Sequence, residues 1–224
     1  KEWGCDLFIR IDGMFALAIY DRNKSTVTLA RDRFGEKPLY YADLSDAFVF
    51  GSELKALRNF PGFTNPIDRD VLALYMQFNY VPAPYSIFQN IFKLEPGCLL
   101  TIDTSATQGS SNSVPRVPMS RKGFTLSRWW ALESIVTAGA KNQIHDDIEA
   151  VEILESRLKE SIRLQSIADV PLGAFLSGGI DSSTIVALMQ AHSSRPVKTF
   201  TIGFEEDGFN EAVYAKAVAG YLGT

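Results

Sequence analysis

The chain has 224 residues, of which 46% are hydrophobic and 12% aromatic, so it can bury a core and form one or two domains. Its net charge of −4 argues against a protein that mainly binds nucleic acid, because neutralising phosphates requires a basic excess. No run approaches the roughly 18 apolar residues of a membrane span, and the first residues do not resemble a signal peptide. We therefore expect a cytoplasmic protein of two domains, with no nucleic-acid partner and no membrane association.

The two cysteines give little information about function. Cys5 and Cys98 are too few for a disulfide framework and too far apart for a C-x-x-C site. We interpret both as ordinary thiols in a reducing compartment.

The first fifty residues predict a run of antiparallel strands. Residues 11–20 alternate large and small apolar side chains, which is typical of an inner strand buried on both faces. Further short strands are expected over 26–30, 38–42 and 47–50, because apolar and β-branched residues there are separated by short connections.

Two helices are expected next. Ser52 is a candidate N-cap for a helix over 54–58, and Asp68 is a candidate N-cap for a helix over 69–79. Each has a side-chain oxygen that can accept a bond from the free N–H groups at the start of a helix.

Two turns lie between predicted strands. Residues 91–94 and 98–102 flank Glu95-Pro96-Gly97, which predicts a hairpin. Residues 31–41 are dense in charge, and we interpret them as a structural ion-pair cluster around Gly35 rather than as a catalytic site.

Residues 104–128 change in composition to Ser, Thr, Gln, Asn, Gly and Pro, with scattered basic residues. Such a segment buries little apolar surface, so it predicts a mobile linker or surface insertion. A nucleic-acid-binding arm is the alternative, but the basic residues are sparse. Trp129 and Trp130 are expected to pin the linker to a domain surface.

The last eighty residues predict an α/β unit. Asp146 and Glu149 have the spacing of a capping box that opens a helix over 147–166. An apolar strand, a Gly-rich turn and a helix then occupy 170–191, followed by a strand over 197–204 and a helix over 210–222. This order predicts a βαβα unit with a parallel sheet.

The Gly-rich turn is a candidate phosphate cradle. Ser177, Gly178 and Gly179 let backbone N–H groups approach an anion, and the following helix adds its positive end. Asp181 lies in the first helical turn, where it can hold a divalent cation or simply cap the helix. The hydroxyl of Ser182 can donate to the same phosphates.

These residues resemble a known family. The sequence Ser-Gly-Gly-Ile-Asp-Ser of residues 177–182 is similar to the S-G-G-x-D-S pyrophosphate loop of the ATP pyrophosphatases. Residues 13–21, 31–41 and 51–57 resemble, in order, segments of the amidotransferase domain of glutamine-hydrolysing asparagine synthetases. The resemblance covers nearly the whole chain except 104–128.

The resemblance implies a fold and a division into domains. It implies part of an α+β class II glutamine amidotransferase sandwich in 1–103, a linker or insertion in 104–145, and part of an α/β Rossmann-like ATP-pyrophosphatase domain in 146–224. It also implies a ligase that converts aspartate, glutamine and ATP to asparagine, glutamate, AMP and pyrophosphate through an acyl-adenylate. ATP and Mg²⁺ are then required, glutamine and aspartate are the substrates, and a homodimer is possible.

The resemblance also implies site residues. Serine, glycine and aspartate of the loop would hold the phosphates, and the aspartate would also hold Mg²⁺. Leu176 and Ile202 would contact the adenosine, or alternatively would only be part of the strand core. The residues implied to bind ATP are Leu176, Ser177, Gly178, Gly179, Asp181, Ser182 and Ile202.

Other family features do not match any residue of this chain. Cys5 is too close to Gly13 to be the family's amino-terminal nucleophile, so no catalytic residue is expected here. The missing segments, the start at Lys1 and the end after a predicted helix suggest an internal fragment of a longer protein, inactive by itself. Two alternatives stay open: the same chemistry on another carboxylate, such as a sugar or peptide precursor, or a non-catalytic remnant.

Overall fold

The computed structural model describes residues 2–44, 47–105, 113–121, 123–206 and 210–224. It divides into two compact units, Lys1–Lys141 and Asn142–Thr224. The domain boundaries expected at 103 and 146 stay predictions.

The first unit begins with a 3-10 turn, Gly4–Asp6, and contains four helices and eight strands in its described part. The helices are α1 Leu7–Arg10, α2 Leu54–Arg58, α3 Arg69–Phe78 and α4 Leu132–Gly139. The strands are β1 Ala16–Asp21, β2 Thr26–Arg31, β3 Tyr40–Asp43, β4 Phe48–Gly51, β5 Phe92–Lys93, β6 Cys98–Asp103, β7 Met119–Arg121 and β8 Phe124–Arg128.

These strands form two sheets that share one core. The larger sheet has the order β1-β2-β6-β8-β7 and the smaller has the order β4-β3-β5, with antiparallel pairing throughout. Leu29 and Leu100 of the larger sheet pack in the same buried cluster as Tyr41 and Phe92 of the smaller one. The two sheets are therefore two layers over a common apolar core, as expected for an α+β unit.

The helices α2 and α3 lie where the sequence predicts them. Asp68 caps α3, because its side chain accepts bonds from the N–H groups of Asp70 and Val71. The prediction that Ser52 caps α2 is wrong, since Glu53 occupies the N-cap position and no side chain caps this helix.

The charged turn after β2 is organised by Asp32, whose side chain is buried. Its carboxylate accepts backbone N–H bonds from Phe15 at 3.3 Å, Phe34 at 3.1 Å, Glu36 at 2.9 Å and Lys37 at 3.0 Å. A buried charge is stabilised by such charge-assisted bonds, which also fix the path of the turn.

Arg31 acts in the same way on carbonyl groups. Its guanidinium donates to the carbonyl oxygens of Lys37 at 2.8 Å, Leu94 at 2.7 Å and Gly35 at 2.5 Å. The prediction of an ion-pair cluster around Gly35 is therefore wrong, because the buried side chains of Arg31 and Asp32 form hydrogen bonds with backbone groups rather than an ion pair with each other. The same hydrogen bonds support the interpretation that this turn has a structural role.

The predicted hairpin over 91–102 is wrong. Strand β5 pairs with β3 in the smaller sheet, whereas β6 pairs with β2 and β8 in the larger one. Gly97, at φ +63°, donates its N–H to the carbonyl oxygen of Asp32 at 2.8 Å and accepts from Trp129 N at 2.8 Å. The turn is thus held by the Asp32 segment and carries the chain from one layer to the other.

Two further expectations fail in the larger sheet. Strand β1 is an edge strand rather than an inner one, with Ile19 40% and Tyr20 57% exposed. Of the two expectations for 104–128, the mobile linker is wrong for β7 and β8, because burial of Phe124 and Leu126 offsets the entropy lost in ordering the segment, whereas the surface insertion stays a prediction. Residues 106–112 and 122 lie outside the described residues.

The tryptophans that follow β8 pack as expected. Trp129 stacks on Phe15 and lies tilted against Phe8, with ring centroids 6.1 Å apart in both pairs, and Trp130 meets Phe34 edge-on at 5.1 Å. Both rings therefore fix this end of the strand to the unit.

The second unit has helices α5 Asp147–Gln165, α6 Ile180–Ala191 and α7 Ala212–Leu222, and strands β9 Gly173–Phe175 and β10 Lys198–Phe200. Strand β10 pairs with β9 in parallel, so the predicted βαβα order is confirmed. Asp146 accepts from the N–H of Glu149 at 2.9 Å, as expected for the cap of α5. None of the helices in the described residues is long and apolar enough to span a membrane.

The buried carboxylate of Asp32 gives the first testable prediction. Asp32→Asn replaces one of the two carboxylate oxygens, each of which accepts two backbone N–H bonds, by an NH₂ donor, so we expect the first unit to lose roughly 2–4 kcal/mol of unfolding free energy. All three tryptophans lie in this unit, so urea unfolding followed by tryptophan fluorescence reports on it.

Asp12→Asn is the matched control, because that carboxylate is 70% exposed and pairs with Arg33 only at 3.6 Å. It should cost less than about 1 kcal/mol. Equal effects of the two substitutions would contradict the structural role of Asp32.

Candidate functional site

The candidate phosphate loop connects the end of β9 to the start of α6. Leu176 enters it as a buried residue, 2% exposed, and donates its N–H to the carbonyl oxygen of Phe200 at 2.8 Å. The loop thus begins at the carboxyl end of two parallel strands, which is the edge where ligands bind in sheets of this kind.

The loop is closed by hydrogen bonds between its own hydroxyl groups and backbone. The Ser177 and Ser182 hydroxyl oxygens lie 2.9 Å apart. Ser177 N–H donates to the Ser182 hydroxyl at 3.3 Å, Gly179 N–H donates to the Ser177 hydroxyl at 3.3 Å, and the Ser182 hydroxyl donates to Gly179 O at 3.3 Å. The backbone N–H groups of Ser177 and Gly179 are therefore used within the loop itself.

Other N–H groups of this segment have no internal acceptor. Those of Gly178, Ile180, Asp181 and Ser182 make no hydrogen bond within the described part of the chain, and no side chain caps α6. Free N–H groups at a helix start, together with the helix dipole, favour an anion. The geometry thus separates the donors that shape the loop from the donors that can bind a ligand.

Gly178 allows the loop to lie directly against α7. Its φ of +84° is in the left-handed region, and a Cβ there would lie 2.6 Å from the Cβ of Tyr214 and 2.9 Å from the N of Ala215. Only glycine fits both the conformation and the space. Tyr214 and Ala215 were not predicted from the sequence, although small residues recur at 212, 215 and 219 with helical spacing.

The remaining predicted site residues differ in their surroundings. The carboxylate of Asp181 is exposed in the first turn of α6, whereas the side chain of Leu176 packs in the core with Val186. Ile202 follows β10 and is 68% exposed, so its side chain is open to a ligand. Contacts of Leu176 and Ile202 with adenosine stay predictions.

Asp181 is the candidate metal ligand. Among the described residues, no three His, Cys, Asp or Glu side chains form a cluster that could hold a metal ion. Binding of Mg²⁺ by Asp181 stays a prediction.

Two family models match the chain in succession. The glutamine amidotransferase domain matches residues 1–112, which is half of the chain, and the asparagine synthase family matches 153–224. The chain belongs to the glutamine-hydrolysing asparagine synthetase family. Its candidate phosphate loop lies in the part that matches asparagine synthase.

The chain is also similar in sequence to longer proteins that are named asparagine synthetases or an amidase. Glutamine-hydrolysing asparagine synthetase 1 of Bacillus subtilis is 34% identical over 96% of the chain, and synthetase 3 of the same organism is 30% identical over 92%. A Gibberella zeae protein named amidase chry2 is 28% identical over the whole chain. The chain spans 30–32% of the length of these relatives.

The approach of Gly178 to α7 gives the second prediction. Gly178→Ala should destabilise the second unit by about 2 kcal/mol, because the methyl group meets backbone and the left-handed conformation disfavours alanine. Amide hydrogen exchange in α6 and α7 should then accelerate by more than about tenfold, measured by mass spectrometry.

Gly179→Ala is the matched control. Gly179 has φ −72°, and its added Cβ would lie 3.4 Å from the Ser177 hydroxyl oxygen, so a methyl group fits. Exchange in this variant should remain within about twofold of the parent. If both alanines had the same effect, the close approach would not be the reason for glycine at 178.

Proposed function

We propose that the chain is part of an ATP-dependent, glutamine-hydrolysing amide ligase of the asparagine synthetase type. Glutamine and water give glutamate and ammonia in one reaction. In the other, an aspartate carboxylate attacks the α-phosphorus of ATP, the bond between the α- and β-phosphates breaks, and pyrophosphate leaves. Ammonia then displaces AMP from the acyl-adenylate, giving asparagine.

The observation that carries this proposal is the pattern of donors in the phosphate loop. The N–H groups of Gly178, Ile180, Asp181 and Ser182 lack internal acceptors at the start of α6, where an anion is favoured. Fixed donors aimed at a leaving pyrophosphate stabilise the charge that develops on it. The hydroxyl groups of Ser177 and Ser182 keep this loop in shape.

Asp181 would hold Mg²⁺ in the same site. When bound, Mg²⁺ would neutralise phosphate charge and so assist departure of pyrophosphate. The exposed carboxylate in the first turn of α6 supports this role, since Mg²⁺ is commonly bound in proteins by one or two carboxylates.

A second candidate function keeps the loop and changes the acceptor. The similarity to a protein named an amidase, 28% identical over the whole chain, favours keeping this candidate. The carboxylate that is adenylated would then belong to a sugar or peptide precursor. The phosphate loop acts identically in both cases, so only an assay of acceptors separates them.

The third prediction tests the ligase in the full-length protein. Asp181→Asn should lower pyrophosphate release from ATP by roughly 100-fold or more, because the metal ligand is weakened, while glutamine hydrolysis remains unchanged. Asp169→Asn is the control, since that exposed carboxylate lies in the same unit but outside the loop. It should leave both rates unchanged.

The choice of acceptor decides between the candidates. Aspartate-dependent pyrophosphate release supports the first, and release with another carboxylate but not aspartate supports the second. If the full-length protein neither binds ATP nor releases pyrophosphate, a non-catalytic remnant is the correct interpretation.

A further inference from the structure

Helix α7 packs directly against the phosphate loop, and we call its residues Tyr214 and Ala215 the wall of the loop. The Cβ position of Gly178 is 2.6 Å from the Cβ of Tyr214 and 2.9 Å from both the backbone C of Tyr214 and the N of Ala215. At Gly178, therefore, no side chain separates the loop backbone from the helix. Interiors are close-packed, so a shift of α7 must move the loop.

Ala215 has its backbone N against Gly178 and its side chain in the core. It is 2% exposed and lies in one buried cluster with Leu176 and Val186. Leu176 is the residue before the loop, and Val186 belongs to the helix that leaves it. The small side chain of Ala215 therefore connects α7 to the end of β9, through Leu176, and to α6, through Val186.

We infer that Ala215 is a positioning residue for ATP: its small side chain lets α7 approach Gly178 and keeps the free loop N–H groups directed at the phosphates. This inference rests on the proposed function, in which these N–H groups hold the leaving pyrophosphate. A larger residue at 215 would push α7 and Leu176 apart and turn the donors away, although the residue itself touches no ligand.

The experiment compares Ala215→Val with Ala219→Val in the full-length protein. Ala219 is one turn later on α7 and packs against the same cluster, but the three atoms nearest to the Cβ position of Gly178 belong to Tyr214 and Ala215. The measured quantities are KM for ATP and kcat in pyrophosphate release, KM for glutamine in glutamine hydrolysis, and the melting temperature.

Ala215→Val should raise KM for ATP by about tenfold, whereas Ala219→Val should change it by less than about twofold. Both should lower the melting temperature, Ala215→Val by more because Ala215 is buried and Ala219 only partly buried, and neither should alter KM for glutamine. The same rise in KM for ATP in both variants, or no rise in Ala215→Val, would overturn the inference.

Hydrogen exchange of residues 176–183 tests the same contact without ATP. Exchange there should be faster in Ala215→Val than in Ala219→Val, and equal exchange in the two variants would overturn the positioning role. A parent protein that releases no pyrophosphate would contradict the proposed function, and the exchange comparison would then decide the role of Ala215 alone.

Discussion

Gly178 has no side chain between its backbone and helix α7, and the geometry of the phosphate loop depends on this contact. The left-handed φ of +84° turns the chain so that Ser177 and Gly179 N–H bond to loop hydroxyls. The N–H groups at the start of α6 are left without acceptors and can receive an anion. Packing behind the loop and chemistry in front of it are therefore parts of one arrangement.

The first unit uses buried charge in a different way. Asp32 and Arg31 are both buried, and both bind backbone groups rather than each other. These bonds hold the turn after β2, and the carbonyl of Asp32 also holds Gly97, where the chain passes between the two sheets. A dense charged motif can thus be a structural element that satisfies the backbone where two layers meet.

Local patterns predicted much of this fold, and non-local pairing accounts for most of what they missed. The cap at Asp68 and the parallel β9–β10 pair follow from short-range chemistry that the sequence displays. The pairing of β5 and β6 with different sheets depends on Gly97 binding Asp32, 65 residues earlier, which no local pattern contains. The loop residues were predicted from their motif. Their packing against Tyr214 and Ala215 of α7 was not predicted, because it is a contact between residues that are distant in the sequence.

We propose that the loop at Gly178 binds the pyrophosphate end of ATP through its backbone. Titrating the full-length protein, labelled with ¹⁵N-glycine, with magnesium pyrophosphate tests this most directly by NMR. We expect the amide signals of Gly178 and Gly179 to shift while those of Gly35 and Gly97 in the first unit stay in place. Saturating pyrophosphate that leaves Gly178 and Gly179 unshifted, or shifts all four equally, would contradict it.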